Sequence, residues 1–312
     1  MRHEVKYKEC MYQFANRPME VHMLVNAAHM LQSAEQGHYA IPAFNTNNLE
    51  WTRSILTAAE ELQSPVIIQC SAGAGKWQQG YKNVADNVRN IVDYMGITVP
   101  VAMHLDHGTY EDCFKAIEAG FTSVMYDGSH EASFDINMEK TAEVVKVAHS
   151  KGISVEAEVG GIGGTEDGIT AKGELADPAQ CKAIAELGVD FLACGIGNIH
   201  GLYPADWEGL SFDQLAMIKA EVGDLPLVLH GGTGIPTDQI KKAISMGISK
   251  INVNTDLQVV FAKATREFIV AGKDLEGKNY DPRKLLKPGF DAIVTRAKEL
   301  IVDFGSDGKG WA

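Results

Sequence analysis

Along the chain, short apolar runs alternate with longer stretches in which apolar residues recur three or four positions apart. The short runs, rich in β-branched residues, fall at 39–44, 65–70, 100–106, 123–127, 154–159, 191–195, 227–230 and 250–254. The longer, amphipathic stretches fall at 49–62, 84–94, 110–119, 134–150, 178–187, 212–222, 237–245 and 256–270. A short apolar run predicts a strand and a 3.6-residue period predicts a helix, so the pattern predicts a series of βα units. Their number is that of the closed (β/α)8 or TIM barrel. An open doubly wound sheet shows the same alternation, but no Gly-x-Gly-x-x-Gly follows the first strand, and the count favours closure. A helical pattern from His22 to Gln36, stopped by Gly37, precedes the first strand, and two further helices are expected after Tyr280. Residues 1–18 show no period and read as an N-terminal leader; residues 19–312 read as a single barrel domain.

The connections divide into two kinds. Four helix-to-strand links carry a glycine where a helix stops, at Gly120, Gly152, Gly188 and Gly247, because a C′ residue adopts the left-handed conformation that glycine enters freely. The strand-to-helix links are longer and richer in His, Asp, Asn and Gly. In a barrel those links form the rim where active sites are built.

Composition narrows the function classes. The chain has 312 residues, 45% of them hydrophobic, and a formal net charge of -13. Such a balance argues against nucleic acid or an anionic membrane surface as partner, while leaving room for an anionic small molecule in a locally positive site. Five cysteines lie far apart without a Cys-x-x-Cys pair, the usage of a reducing cytoplasm. No apolar stretch approaches the ~18 residues of a membrane span, and the first residues lack a secretory signal.

Candidate chemistry collects on one rim. Asp106 and His107 close the strand at 100–106, in Leu105-Asp-His-Gly108. Asp127, Glu156 and Glu158, His200, His230, and Asn252 with Asn254 lie at or beyond later strand ends. Three imidazoles with an open position suit a catalytic zinc, and a carboxylate beside a ligand suits proton transfer. Glu158 is expected to orient the imidazoles from behind. His130 is a rival ligand on the same rim, whereas His104 reads as a hydrogen-bonded barrel residue. His200 and His230 are preferred because glycine follows each. The run His230-Gly-Gly-Thr-Gly234 before a helix suits phosphate bound by backbone N–H groups. Thr255 is the expected cap of the next helix. The glycine-rich stretch 160–168 reads as a mobile lid that carries Glu166 and Asp167 toward the site. Lys250 reads as a strand-start residue on the far face and Lys76 as a loop residue, so no lysine is placed for Schiff-base chemistry.

The motifs Pro42-Ala-Phe-Asn45, Leu105-Asp-His-Gly108, Glu156-Ala-Glu-Val-Gly160, Gly163-Gly-Thr-Glu-Asp167, His230-Gly-Gly-Thr-Gly234 and Lys250-Ile-Asn-Val-Asn-Thr255 occur in order. Together they resemble the class II, metal-dependent fructose-bisphosphate aldolases, including the tagatose-bisphosphate branch. The resemblance implies His107, His200 and His230 as zinc ligands, with Glu158 behind them or as an alternative ligand. It implies Asp106 as the acid/base at the C4 hydroxyl and Glu166 as the lid carboxylate at the dihydroxyacetone carbon. Gly201, Gly231 and Thr233 would cradle dihydroxyacetone phosphate with a monovalent cation, Na⁺ or K⁺, and Asn252, Asn254 and Thr255 would complete that subsite. Asn45 and Ser71 match substrate-binding positions, and Arg283 matches a residue for the far phosphate, reaching across a homodimer or higher oligomer. The activity implied is cleavage of fructose 1,6-bisphosphate to dihydroxyacetone phosphate and glyceraldehyde 3-phosphate, and the reverse. The alternatives are tagatose-1,6-bisphosphate aldolase and a non-catalytic barrel that binds sugar phosphates.

Overall fold

A computed structural model describes residues 23–166, 169–171 and 173–311. Eight parallel strands close into a barrel: β1 Ile41–Asn45, β2 Val66–Ser71, β3 Val101–Gly108, β4 Ser123–Tyr126, β5 Ser154–Val159, β8 Phe191–Cys194, β10 Leu227–Leu229 and β11 Ile248–Val253. β1 pairs with both β2 and β11, which removes every edge. Covered by helices outside and side chains inside, β1, β2 and β5 are buried along their whole length, including the polar residues of β2 and β5.

Inside the barrel the side chains change character with height. The floor is apolar: Ile41, Ile67, Ala102, Phe191 and Val228 pack on helix α1 (Ala27–Gly37), which presents Ala27, Met30, Leu31 and Ala34. Two residues further along β2 and β3 the inward positions are polar, with Gln69 beside His104 and then Ser71 beside Asp106 in register. The main core lies between sheet and outer helices. Helix α4 (Tyr81–Met95) contributes Val84, Ala85, Val88, Ile91 and Val92 as one buried stripe and stops at Gly96 in the left-handed conformation.

Several elements depart from the sequence reading. The first helix begins at Ala27, and the left-handed residue that ends it is His38 (φ 52°) rather than Gly37. Glycine is needed at 37 for another reason: a Cβ there would lie 2.8 Å from the Tyr39 ring. A short helix α3 (Ala72–Trp77) follows β2, with the Ser71 hydroxyl accepting from the Ala74 N–H at 3.3 Å. Lys250 is mid-strand and fully buried inside the barrel, not at a strand start. The helix Thr255–Val270 (α10) has Asn254 at its N-cap, one residue before the expected Thr255. Within the glycine-rich stretch after β5, β6 (Gly163–Glu166) pairs antiparallel with β7 (Ile169–Ala171). β6 also pairs with β9 (Ile199–His200), making a small three-stranded sheet on the rim. Two helices follow Tyr280, α11 (Pro282–Leu285) and α12 (Lys287–Asp303). Among the described residues no helix is long and apolar enough to cross a membrane.

Candidate active site

The centre of the rim is built on a defect in β3. Neighbouring residues of a regular strand face opposite sides of a sheet. Asp106 and His107 escape that rule because the ladder to β4 shifts register between Leu105 and Gly108, and His107 takes φ 46°. A left-handed non-glycine residue is strained, and such strain persists where surrounding contacts impose it. Here it turns both side chains to the same cleft.

His107 meets His200 at 3.1 Å (Nε2 to Nε2) and His230 at 2.7 Å (Nε2 to Nδ1). The far nitrogens settle which atoms carry protons. His107 Nδ1–H donates to Asp127 at 2.8 Å, and His230 Nε2–H donates to Glu156 at 2.8 Å. Both acceptors are ionised. The hydrogen bond and charge of His107 outweigh burial and hold Asp127 far below the usual carboxylate range, and Lys250, His104 and His230 do the same for Glu156. The facing nitrogens, 2.7 Å apart, need a positive charge between them, either a second proton on one ring or a bound cation. Burial and the charges of its neighbours push His200 down to about 3, and burial lowers His230. His107 is raised, because Asp106, Asp127 and Glu158 outweigh its burial. The three rings thus converge on one point with donor atoms suited to a divalent cation.

Asp106 stands beside this point with both oxygens engaged. Asn45 Nδ2 and Gln69 Nε2 donate to Oδ2 at 2.8 and 3.1 Å, and Asn252 Nδ2 donates to Oδ1 at 3.1 Å. These donors and the charges of His107, His230 and Lys250 offset burial and keep the carboxyl below its ordinary range. One cleft is lined by Asn45, Gln69, Asp106, His107, His200, Gly201, Gly231, Thr233, Asn252, Asn254 and Thr255. Adjoining it and sharing His107 and His200, a cavity of about 640 Å³ is lined partly by Tyr110, Tyr126, His130, Lys140 and Glu158.

The family model for fructose-bisphosphate aldolase class-II matches residues 25–309. The chain belongs to the class II fructose-bisphosphate aldolases. It is 55% identical over 291 residues to the fructose-bisphosphate aldolase of Streptococcus pyogenes serotype M1, a match covering 92% of this chain and 99% of that one. It is 52% identical over 289 residues to the Mycoplasma pneumoniae enzyme of the same name, covering 92% and 100%. Among solved structures, the YdjI aldolase of Escherichia coli K12 superposes with a TM-score of 0.77 at 34% identity over 92% of this chain and 99% of that chain. A fructose-1,6-biphosphate aldolase homologue from Coccidioides immitis gives 0.81 at 29% identity, covering 91% and 98%.

For an aldolase site, the residues expected from the sequence are largely brought together, with three exceptions. Arg283 lies outside the cleft, its side chain 89% exposed and paired with Asp281 at 2.6 Å. The side chain of Glu166 lies outside the described residues, although its backbone belongs to β6. Ser71 is buried next to Asp106 in register, with its hydroxyl capping α3. His130 lines the larger cavity together with His107 and His200, but its ring is not among the three that converge.

The role expected of Glu158 is filled by others. Glu158 Oε2 stays 3.9 and 4.0 Å from His107 and His230 and has no hydrogen-bond partner, while burial and the Asp127 charge push its carboxyl up. Asp127 and Glu156 hold the rings instead. Gln69, which holds Asp106, is marked in the sequence only as the one polar residue in the apolar run 65–70. Gly231 has a structural reason as well as a chemical one, since a Cβ there would lie 1.9 Å from the Ile199 carbonyl oxygen.

Proposed function

We propose that His107, His200 and His230 hold a zinc ion, and that the chain reversibly cleaves fructose 1,6-bisphosphate to dihydroxyacetone phosphate and glyceraldehyde 3-phosphate. The observation that carries this reading is the convergence of ring nitrogens from His107, His200 and His230 beside an amide-held Asp106. Zinc bound there would supply Lewis-acid polarisation of the substrate ketone. Asp106 accepts the C4 hydroxyl proton, C4 becomes the aldehyde carbon, and the electrons of the C3–C4 bond pass to the dihydroxyacetone half. Glu166, carried on the β6–β7 hairpin, returns a proton to C3. Gly201, Gly231, Thr233, Asn252, Asn254 and Thr255 bind the dihydroxyacetone phosphate end with a monovalent cation, Na⁺ or K⁺. Asn45 and Ser71 serve the other half. Arg283 binds the far phosphate from a second protomer of a homodimer or larger assembly. Glu158, whose free oxygen lies near both His107 and His230, is an alternative ligand. Residues 19–312 act as one unit, in the cytoplasm.

Chelation tests the reading directly. A chelator should abolish cleavage, zinc should restore it, and borohydride with substrate should trap no adduct. A trapped lysine adduct would overturn the metal mechanism. Parallel kcat/KM values on fructose and tagatose 1,6-bisphosphates should favour the fructose epimer. A preference for tagatose would move the chain to the other branch, and no turnover of either would leave a binding barrel.

A further inference from the structure

Beneath the three imidazoles the barrel contains a line of buried charge that the proton transfers do not use. His230 Nε2–H donates to Glu156 Oε1 at 2.8 Å, and Lys250 Nζ donates to Glu156 Oε2 at 2.7 Å. His104 Nε2 lies 3.2 Å from the same oxygen, and His104 Nδ1 is bonded to Ser123 Oγ at 2.7 Å. His104, Glu156, His230 and Lys250 are all fully buried. Lys250 is separated from the cleft by Glu156 and His230, so its amine meets no substrate.

Packing alone does not account for this lysine. Removing an ammonium and a carboxylate from water costs more than an apolar pair of similar volume, and replacing buried ion pairs by hydrophobic residues is often neutral or stabilising. Neighbouring inward positions show what packing selects in this barrel: Ile67, Ala102, Phe191 and Val228, the last two in register with Glu156 and Lys250. The charge at 250 therefore does something that an apolar residue does not. With Lys250 on one oxygen and His230 on the other, the Glu156 carboxylate has a single orientation. That orientation places the imidazole proton of His230 on Nε2 and leaves Nδ1 bare, 2.7 Å from His107 Nε2.

We propose that Lys250 is a positioning residue, which through Glu156 fixes the tautomer and ring orientation of His230 and so aims its Nδ1 lone pair at the metal. The role rests on the reading of His230 as a ligand. Partners behind a ligating imidazole are worth roughly 10–100-fold in metal affinity. Lys250→Met should weaken zinc binding by a factor in that range, roughly 10–100-fold. It should also allow the metal-free His230 ring to populate both tautomers.

The test combines zinc titration against a competing chelator with ¹⁵N NMR of the histidine rings in metal-free protein. In the unmodified chain His230 should carry its proton on Nε2; a proton on Nδ1, with Nε2 bare, would overturn the proposal. Lys250→Met leaves Glu156 without its ammonium, so a second variant, Lys250→Met with Glu156→Gln, removes both charges at nearly unchanged volume and keeps the fold available. Both variants should bind zinc more weakly than the unmodified protein. Folded variants that bind zinc as tightly as the unmodified chain would show that the ion pair serves only stability. Failure of the unmodified protein to bind zinc would overturn the ligand reading itself, and this role of Lys250 with it.

Discussion

Asp106 is held by three amides, and their arrangement decides what its replacement will do. Asn45 and Gln69 donate to one oxygen and Asn252 to the other. In Asp106→Asn one of those oxygens becomes an NH₂ group. Asn252 can meet it by turning its amide over, because Asn252 Oδ1 has no hydrogen-bond partner. The variant should therefore fold and keep its zinc while losing the proton acceptor. We expect kcat to fall by roughly 10²–10⁴, the usual worth of a positioned acid/base. Steady-state kinetics with metal analysis of the same sample checks this, and loss of zinc would show that Asp106 is itself a ligand.

At the scale of elements, the small rim sheet decides where His200 sits. β9 carries His200, and its neighbours are glycines: Gly163 and Gly164 pair with Ile199 and His200 in β6, and Gly231 packs against the Ile199 carbonyl. A side chain at Gly231 would meet that oxygen at 1.9 Å, at a backbone φ of 67°. The left-handed conformation alone costs an L-residue about 1–2 kcal/mol. Gly231→Ala should thus displace β9 and weaken zinc binding, with a smaller effect on barrel melting, since the barrel strands do not depend on β9. Zinc titration beside a thermal melt separates the two, and unchanged zinc affinity would refute the linkage. The hairpin also gives Glu166 a fixed place in a strand two residues beyond Gly164, the partner of His200. Glu166→Ala should slow solvent exchange of the dihydroxyacetone phosphate α-proton, followed by NMR without aldehyde, and leave zinc content intact. Exchange at the unmodified rate would assign that proton to another group.

At the scale of the whole molecule, Arg283 is the residue that one chain leaves unused. It sits on the short helix α11, exposed and paired with Asp281, outside the cleft. If it serves the site of a second copy, two inactive variants should rescue each other. Arg283→Ala and Asp106→Asn chains, unfolded together and refolded as a mixture, should regain activity, because some mixed dimers combine an intact cleft with an intact arginine. Sedimentation of the unmodified protein should show a dimer or larger species. A monomer, or a mixture no more active than its parts, would confine Arg283 to its own chain.

The sequence by itself determined the barrel and the set of groups on its rim. Helical and strand periods, capping glycines and the run of eight units are short-range signals, set by propensity and by which faces of each element are apolar. His107, His200 and His230 were legible because each follows an apolar run that reads as a strand. What stands behind them was not. Glu156 lies 74 positions from His230 and 94 from Lys250, and their bonds depend on which inward positions share a layer of the closed barrel. Strand periodicity predicts that a residue faces inward, but not its height relative to residues on other strands. The same limit hid the hold of Asp127 on His107 and put Lys250 on the wrong face. The turn of His107 beside Asp106 depends on a register shift between β3 and β4. That shift is a property of the pair of strands, so only the tertiary structure could decide it.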